Sequence, residues 1–395
     1  MSAAPAAKAT GVGGRWSLAP LYAAGFTTAF GAHGIAANLG GFTLGAHSSL
    51  LVLGALLALY DGAEIILKPV FGTIADRVGA HRVLVCGLLI FAAASAIFAL
   101  ANDTNWLWLA RFGQGAGAAA FSPAASALVA RLTPDTARGR AFGSYGFYKS
   151  LGYTLGPLLG GVLVAAAGLG VLFTVMAVLA AGVAVWAVAA VPAIAPKPLA
   201  RQTIVDTVRR LGDIAFLTPT LTLAAATAAL SAGVGFLPVS GTAAGLGPVA
   251  TGAAVSVLAL TAAFVQPWAG RALDSGRLTT RTGVSAGLVL TALGLAAASI
   301  PGLTGILIAA TAIGAGTGTI TPLAFTSLAR NTPEQHLGQT MGAAEIGREC
   351  GDITGPLVVA TLATATTVSI GFLGLAVLTV LVIAVIAALG RSHTR

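Results

Sequence analysis

The sequence predicts an all-α membrane protein with 12 transmembrane helices in two pseudo-symmetric six-helix bundles. Three observations carry this expectation. Of the 395 residues, 56% are hydrophobic and only 8% are charged, against about 25% charged in an ordinary soluble domain. Apolar runs of roughly 20 residues, the length that crosses hydrocarbon as a helix, recur along the whole chain. Finally, the second half of the sequence repeats the first at a nearly constant offset.

The first six runs lie near 17–40, 49–75, 82–101, 106–131, 139–166 and 169–191. The second six lie near 215–240, 249–274, 283–300, 303–330, 338–364 and 368–390. The first run is the least regular, because "FGAHGIAANLGG" is rich in glycine and holds His33. The 52 glycines suit close helix packing in lipid, where small residues let backbones approach. Residues 1–14 are rich in Ala and Gly without the apolar core of a cleavable signal. Between the two sets, 192–213 reads "PAIAPKPLARQTIVDTVRRLGD" and is the longest polar segment. It separates an N-terminal bundle (1–191) from a C-terminal bundle (214–395). Its first part is a Pro-rich linker. Its second, "TIVDTVRRLGD", alternates apolar and basic positions like a helix lying on the inner membrane surface, and a plain tether fits the same residues. Two cysteines, Cys86 and Cys350, imply no disulfide framework.

Orientation follows from the basic residues. Four of the 21 Lys and Arg lie more than a turn inside the runs: Lys68, Arg111, Lys149 and Arg348. With both termini cytoplasmic, all the others lie in cytoplasmic loops or termini, the bias expected for short loops. The outer loops hold only His47 and Asp103 as candidates for charge. The net charge of +9 is therefore topogenic, and no basic cluster on a soluble domain points to nucleic acid. The expected location is the cell inner membrane, as a multi-pass protein and a monomer.

The repeat is read directly. At an offset of 199, "FSPAASALVARLTPD" (121–135) falls on "ITPLAFTSLARNTPE" (320–334). The register continues through Gly139, Gly143, Gly152, Gly156 and Pro157, which meet Gly338, Gly342, Gly351, Gly355 and Pro356. At an offset of 198, "KPVFGTIAD" (68–76) falls on "QPWAGRALD" (266–274). Duplication of this length marks a transporter built from two helix bundles, with substrate bound near the midplane between them.

Three short motifs carry a resemblance. "GTIADRVGAHRVL" after the second run resembles the loop signature G-x-L-A-D-R-x-G-R-K-x-x-L of the major facilitator superfamily, matching at Gly72, Ala75, Asp76, Arg77, Gly79 and Leu84 and departing at Ile74 and Ala80. The resemblance implies that Asp76, Arg77 and Arg82 latch the cytoplasmic side. Its C-half copy, "GRALDSGR", keeps Gly270 and Asp274 but puts Ser275 where an arginine would stand. "RFGQGAGAA" is similar to the family's R-x-x-Q-G-x-G-A-A, with Arg111, Gln114, Gly115 and Gly117. "GYTLGPLLGG" matches G-x-x-x-G-P-x-x-G-G at Gly152, Gly156, Pro157, Gly160 and Gly161, a signature of the drug:proton antiporters within the superfamily. These glycines also serve close packing, and Pro157 bends its helix. Arg111 has two readings, a buried paired cation or a side chain snorkelling to the outer surface.

Nine Asp, Glu, Lys and Arg residues lie more than a turn inside the runs: Asp61, Glu64, Lys68, Arg111, Lys149, Glu345, Arg348, Glu349 and Asp352. Each costs roughly 2.5–3.5 kcal/mol at the helix centre unless it meets a partner or water. At about 100° per residue, Glu345, Arg348, Glu349 and Asp352 share one stripe, and Asp61, Glu64 and Lys68 share another. Such stripes face a cavity. Lys149 falls on Arg348 in the repeat, whereas the acids have no acidic copies. The cations therefore organise the cavity and the acids perform coupling, with Glu64 pairing to Lys68 at i, i+4. The antiporters that this chain resembles carry a membrane acid in helix 1, where this chain has only His33. Coupling is accordingly assigned first to Asp61 or Glu64, then to Glu345, Glu349 and Asp352. Substrate contacts are assigned to Lys149, Arg348, Arg111, Tyr153 and His33, and gating to Asp76, Arg77, Arg82 and Asp274.

The expected activity is proton-coupled export of a small organic molecule by alternating access, with protonation of the acidic stripe favouring the outward-open form. The alternative is uptake or exchange of an anionic or zwitterionic solute gripped by Lys149 and Arg348. A static salt-bridge network joining helices 2, 5 and 11 is the competing structural reading of the charges. No enzyme is expected, since no nucleophile and base stand at workable spacing. No cofactor is expected either. His33, Asp61, Glu64 and Cys350 lack tight metal-ligand spacing.

Overall fold

A computed structural model describes residues 15–45, 50–101, 104–196 and 212–392. Among them run twelve long helices. The first six are α1 (Arg15–Gly45), α2 (Leu50–Val78), α3 (Ala80–Ala101), α4 (Thr104–Leu132), α5 (Arg138–Ala167) and α6 (Leu169–Ala190). After 192–213 follow α7 (Ile214–Ala243), α8 (Pro248–Asp274), α9 (Thr280–Ala297), α10 (Gly302–Asn331), α11 (Leu337–Ala365) and α12 (Val368–Ser392). Each apolar run has become one helix, because in hydrocarbon a chain must satisfy its backbone polar groups internally. The surface-helix reading of "TIVDTVRRLGD" and the loop residues His47 and Asp103 lie outside the described residues.

Eight of the helices are apolar and long enough to cross a membrane by composition: α3, α5 to α10, and α12. The remaining four are the polar ones. α2 and α11 carry the ionisable stripes, α4 holds Arg111 and Gln114, and α1 holds threonines, His33 and Asn38. Most of their polar side chains turn to neighbouring helices, while residues such as Ile66, Val70, Phe112, Ile353 and Leu357 stay exposed.

α5 packs along α1, α3 packs on α4 and α6, and the same arrangement recurs in the second half. The glycine signature of α5 sits on α1. A Cβ at Gly152 would lie 2.5 Å from the Phe26 carbonyl oxygen, and one at Gly156 would lie 2.8 Å from that of Phe30. Asn38 Nδ2 donates to the Gly34 carbonyl at 2.7 Å and reaches the Pro157 carbonyl at 3.5 Å. The two halves meet along two seams, α2 against α11 and α5 against α8.

At the end of the molecule that carries the linker, both seams are closed by the same device. Asp76 accepts the Gly338 and Gln339 backbone N–H groups, each at 2.8 Å, at the start of α11. Asp274 accepts those of Gly139 at 2.9 Å and Arg140 at 2.7 Å at the start of α5. A carboxylate there meets unsatisfied amides and the positive end of the helix dipole together. Arg131 Nη2 donates to Asp76 at 2.7 Å and to the Glu334 carbonyl at 3.1 Å. Its repeat copy Arg330 lies 3.8 Å from Asp274 and donates to the Asp135 carbonyl at 2.9 Å.

Of the residues assigned to gating, Asp76 and Asp274 thus sit at the latches. Arg77 and Arg82 do not: both are exposed and pair with none of the described residues. The arginines that face the aspartates come from the ends of α4 and α10. Ser275 in place of an arginine therefore costs the second latch nothing.

Two outcomes are expected. Asp76→Asn or Asp274→Asn removes a charged cap and loosens the closed end by about 1–2 kcal/mol. In a background lacking Cys86 and Cys350, this reads as faster thiol labelling of a Thr340→Cys probe. Gly156→Leu overpacks the α1–α5 contact at a cost of about 1–3 kcal/mol, measured as a lowered Tm.

Candidate functional site

The stripes of α2 and α11 face each other, and Lys149 of α5 joins them. Lys68 Nζ lies 2.6 Å from Glu349, 3.2 Å from Glu64 and 3.7 Å from Glu345. Glu345, with no exposed side-chain surface, also meets Lys149 at 3.4 Å and Arg348 at 3.3 Å. Three acids and three bases form one continuous cluster, neutral when all are ionised. Desolvating six charges is expensive, and such a cluster persists only where each charge meets its opposite. The i, i+4 pairing of Glu64 with Lys68 read from the sequence is present. Lys68, however, is also the hub that ties α2 to α11.

The cluster reaches, through Arg348, the wall of a central cavity of about 510 Å³. Most of the residues around this cavity lie in the halves of their helices away from the linker, with Ser150, Ala262 and Arg348 near mid-depth. Its α1 and α5 wall carries His33, Ser150, Tyr153 and Thr154, and its α7 and α8 wall is mainly apolar, with Leu230, Val234 and Val255. Arg348 and Asp352 reach it from α11. The His33 and Tyr153 rings meet edge-on with centroids 4.3 Å apart. Lys149, Gln266 and Thr321 surround a small chamber beneath, about 40 Å³ and large enough for a water or two. Phe142 of α5 stacks on Phe325 of α10 at 5.7 Å and closes the chamber toward the linker.

Asp352 lines the cavity and forms no ion pair among the described residues. Asp61, on the same face of α2 as Glu64, is exposed and likewise unpaired among them. Glu64 and Glu349 are occupied by Lys68, and Glu345 is shared by three cations. The acid that stands in the cavity is therefore Asp352, not the Asp61 or Glu64 that the sequence puts first.

Arg111 neither snorkels nor reaches the cavity. Only 1% exposed, it lies 4.3 Å over the Tyr60 ring and donates to the Leu56 carbonyl and to Gln114 Oε1, each at 3.4 Å. Gln114 in turn donates to Ser95 at 2.8 Å. That chain fastens α4 to α2 and α3. Among the described residues no three His, Cys, Asp or Glu converge on a possible metal.

Sequence reasoning missed the second seam. Gln266 Nε2 of α8 donates to Ser150 Oγ of α5 at 2.8 Å. The signal was available, since Gln266 stands at the repeat position of Lys68 and Ser150 at that of Glu349.

Comparison with known proteins fits this architecture. The family model of the Major Facilitator Superfamily matches residues 12–281 and again 221–394. The quinolone resistance protein NorA of Staphylococcus aureus is 30% identical over 111 residues, 28% of this chain and 29% of that protein. Multidrug resistance protein 2 of Bacillus subtilis is 33% identical over 125 residues, 32% of this chain and 30% of that protein. The matched segments thus span less than a third of either relative. Among solved structures, the human organic anion transporter MFSD10 (TETRAN) superposes with a TM-score of 0.77 at 17% identity, covering 94% of this chain and 99% of that one. The Escherichia coli fucose:proton symporter FucP gives 0.77 at 15% identity, covering 96% and 98%. At such identities the likeness concerns the fold alone. With its two six-helix halves and a family match reaching from residue 12 to residue 394, the chain belongs to the Major Facilitator Superfamily.

Proposed function

We propose that the protein is a proton-driven exporter of a small organic molecule, working by alternating access between its two bundles. The observation that carries this reading is Asp352, an acid without an ion pair among the described residues, facing a central cavity that a charge-balanced cluster reaches through Arg348. The linker end is taken as cytoplasmic, from the distribution of Lys and Arg. The cavity then belongs to an outward-facing form with its cytoplasmic side shut.

In that form substrate leaves to the outside and a proton enters from there. Taken up at Asp352 and passed to the cluster, the proton weakens the ties of Lys68 to α11. Those ties lie on the shut side, so losing them favours opening toward the cytoplasm. This sense is opposite to the one read from the sequence, where protonation favours the outward-open form. The difference arises because the paired charges sit below the cavity rather than above it. The relatives named for quinolone and multidrug resistance support export, and their short matched segments leave the substrate to be found by assay.

A second reading has one observation in its favour. Arg348 Nε is buried and has no hydrogen-bond partner, and the side chain borders the cavity, as a carboxylate-binding guanidinium would. Against it, Lys149 and Arg348 already share Glu345. Thermal-shift screening separates the two: cationic drugs raise the Tm under the first reading and organic acids under the second.

In proteoliposomes with an imposed pH gradient, the gradient is expected to drive substrate movement, and Asp352→Asn to reduce it at least about tenfold, or ~1.4 kcal/mol. Asp61→Asn with Glu64→Gln is expected to weaken coupling as well. Transport indifferent to the gradient in the parent protein would reject the proposal. Glu345→Gln leaves three cations facing two acids and is expected to cost about 3–5 kcal/mol of stability, visible as a large fall in Tm. Asp352→Asn is expected to leave the Tm nearly unchanged.

A further inference from the structure

The two seams between the bundles are copies in geometry and opposites in charge. In the repeat, Lys68 of α2 corresponds to Gln266 of α8, Glu345 of α11 to Gly146 of α5, and Glu349 to Ser150. At the first seam Lys68 meets Glu349 at 2.6 Å. At the second Gln266 meets Ser150 at 2.8 Å. The backbones approach alike, since a Cβ at Gly342 would lie 2.6 Å from the Lys68 carbonyl oxygen and one at Gly143 2.5 Å from that of Gln266. Where Glu345 fills the first seam, Gln266 Oε1 takes the space that a side chain at Gly146 would need. That oxygen is buried and has no hydrogen-bond partner. One junction is ionic, and its mirror image is neutral at the positions equivalent to Lys68, Glu345 and Glu349, while Lys149 keeps the cation of Arg348.

We infer that the α2–α11 seam is the charge-controlled half of the linker-side gate, parting when its ion pairs are broken, and that the α5–α8 seam is a neutral hinge indifferent to the same change. This rests on the alternating-access reading above. The physical reason lies in what each seam exchanges on opening. A neutral hydrogen bond is traded for one to water at little net change, whatever the proton concentration. An ion pair has to surrender its attraction while its members recover hydration, and neutralising one member tips that balance.

Groups on every neighbouring element act on the ionic seam. α2 presents Asp61 and Glu64 beside Lys68, with Tyr60 and the Arg111 of α4 behind them. α11 presents Arg348 and Asp352 beside Glu345 and Glu349. α5 presents Lys149 and Tyr153, and His33 of α1 lies against Tyr153. Among the described residues, the ionisable groups that share the small chamber with Gln266 are Lys149, Arg348, Tyr145 and Tyr153.

The test uses repeat-equivalent spin-label pairs on the full chain in lipid nanodiscs, with Cys86 and Cys350 replaced. Arg77→Cys with Gln335→Cys spans the ionic seam, and Ser275→Cys with Thr136→Cys spans the neutral one. Acidification is expected to lengthen the first distance by several ångströms and leave the second within error. Glu349→Gln is expected to give the long first distance already at alkaline pH. A neutral copy of the seam (Lys68→Gln, Glu345→Gly, Glu349→Ser) is expected to abolish the acid response while the protein remains folded. Equal lengthening of both distances overturns the proposal, as does a first distance unmoved by acid and by Glu349→Gln. Should the triple variant fail to fold, Gln266→Lys with Ser150→Glu gives the converse test: it is expected to make the second distance acid-sensitive, and an unchanged second distance overturns the proposal. The measurement needs neither substrate nor gradient, so failure of proton-driven export and failure of this asymmetry are distinguishable.

Discussion

Lys68 reaches out of one bundle into the other, and much of the structure follows from having to keep that ammonium satisfied. It is 1% exposed, too deep for solvent to stabilise it. Glu64 alone would neutralise it within α2, yet two glutamates of α11 are held against it as well. Those glutamates need Lys149 and Arg348 in return. The cluster therefore closes on itself only when α2, α5 and α11 are brought together at one depth. Since α2 and α5 belong to the first half and α11 to the second, the charges are complete only while the linker side is shut.

The two latches act at a lower level and by different means. Asp76 and Asp274 bind helix starts, which present the same amides whatever side chains surround them. The arginine is held closer at Asp76 than at Asp274. The ionic cluster above them is asymmetric. One backbone-capping carboxylate thus stands on each seam, whereas the buried ionic cluster stands on the α2–α11 seam alone.

Much of this was legible in the sequence because lipid imposes strong rules. Twelve apolar runs became twelve helices, and the spacing put the ionisable residues of α2 and α11 on one face of each helix, though not against each other as the structure has them. The repeat register located both latches through Asp76 and Asp274. The pairings across the bundles were less visible. Arg131 rather than Arg77 faces Asp76, because a side chain's partner depends on where a distant helix ends and not on the adjoining motif. For Arg111 the matched signature leaves open a buried paired cation or a snorkelling one, and its depth against Tyr60 and Gln114 fits the buried reading, as a fastening between helices. Asp352 was grouped with the other acids, and only the geometry separates it, since its neighbours one and two turns away are claimed by cations.

The latches have one more consequence, for how such a chain drifts over generations. Four of their donors are backbone amides, at positions 139, 140, 338 and 339. Every residue except proline supplies that group. For the hydrogen bonds alone, side-chain identity at positions 140 and 339 is free to change, whereas Gly139 and Gly338 are also constrained by the backbones lying against them. Mutational tolerance at the gate should therefore be uneven from one residue to the next, with permissive and strict sites side by side on the first turn of each helix.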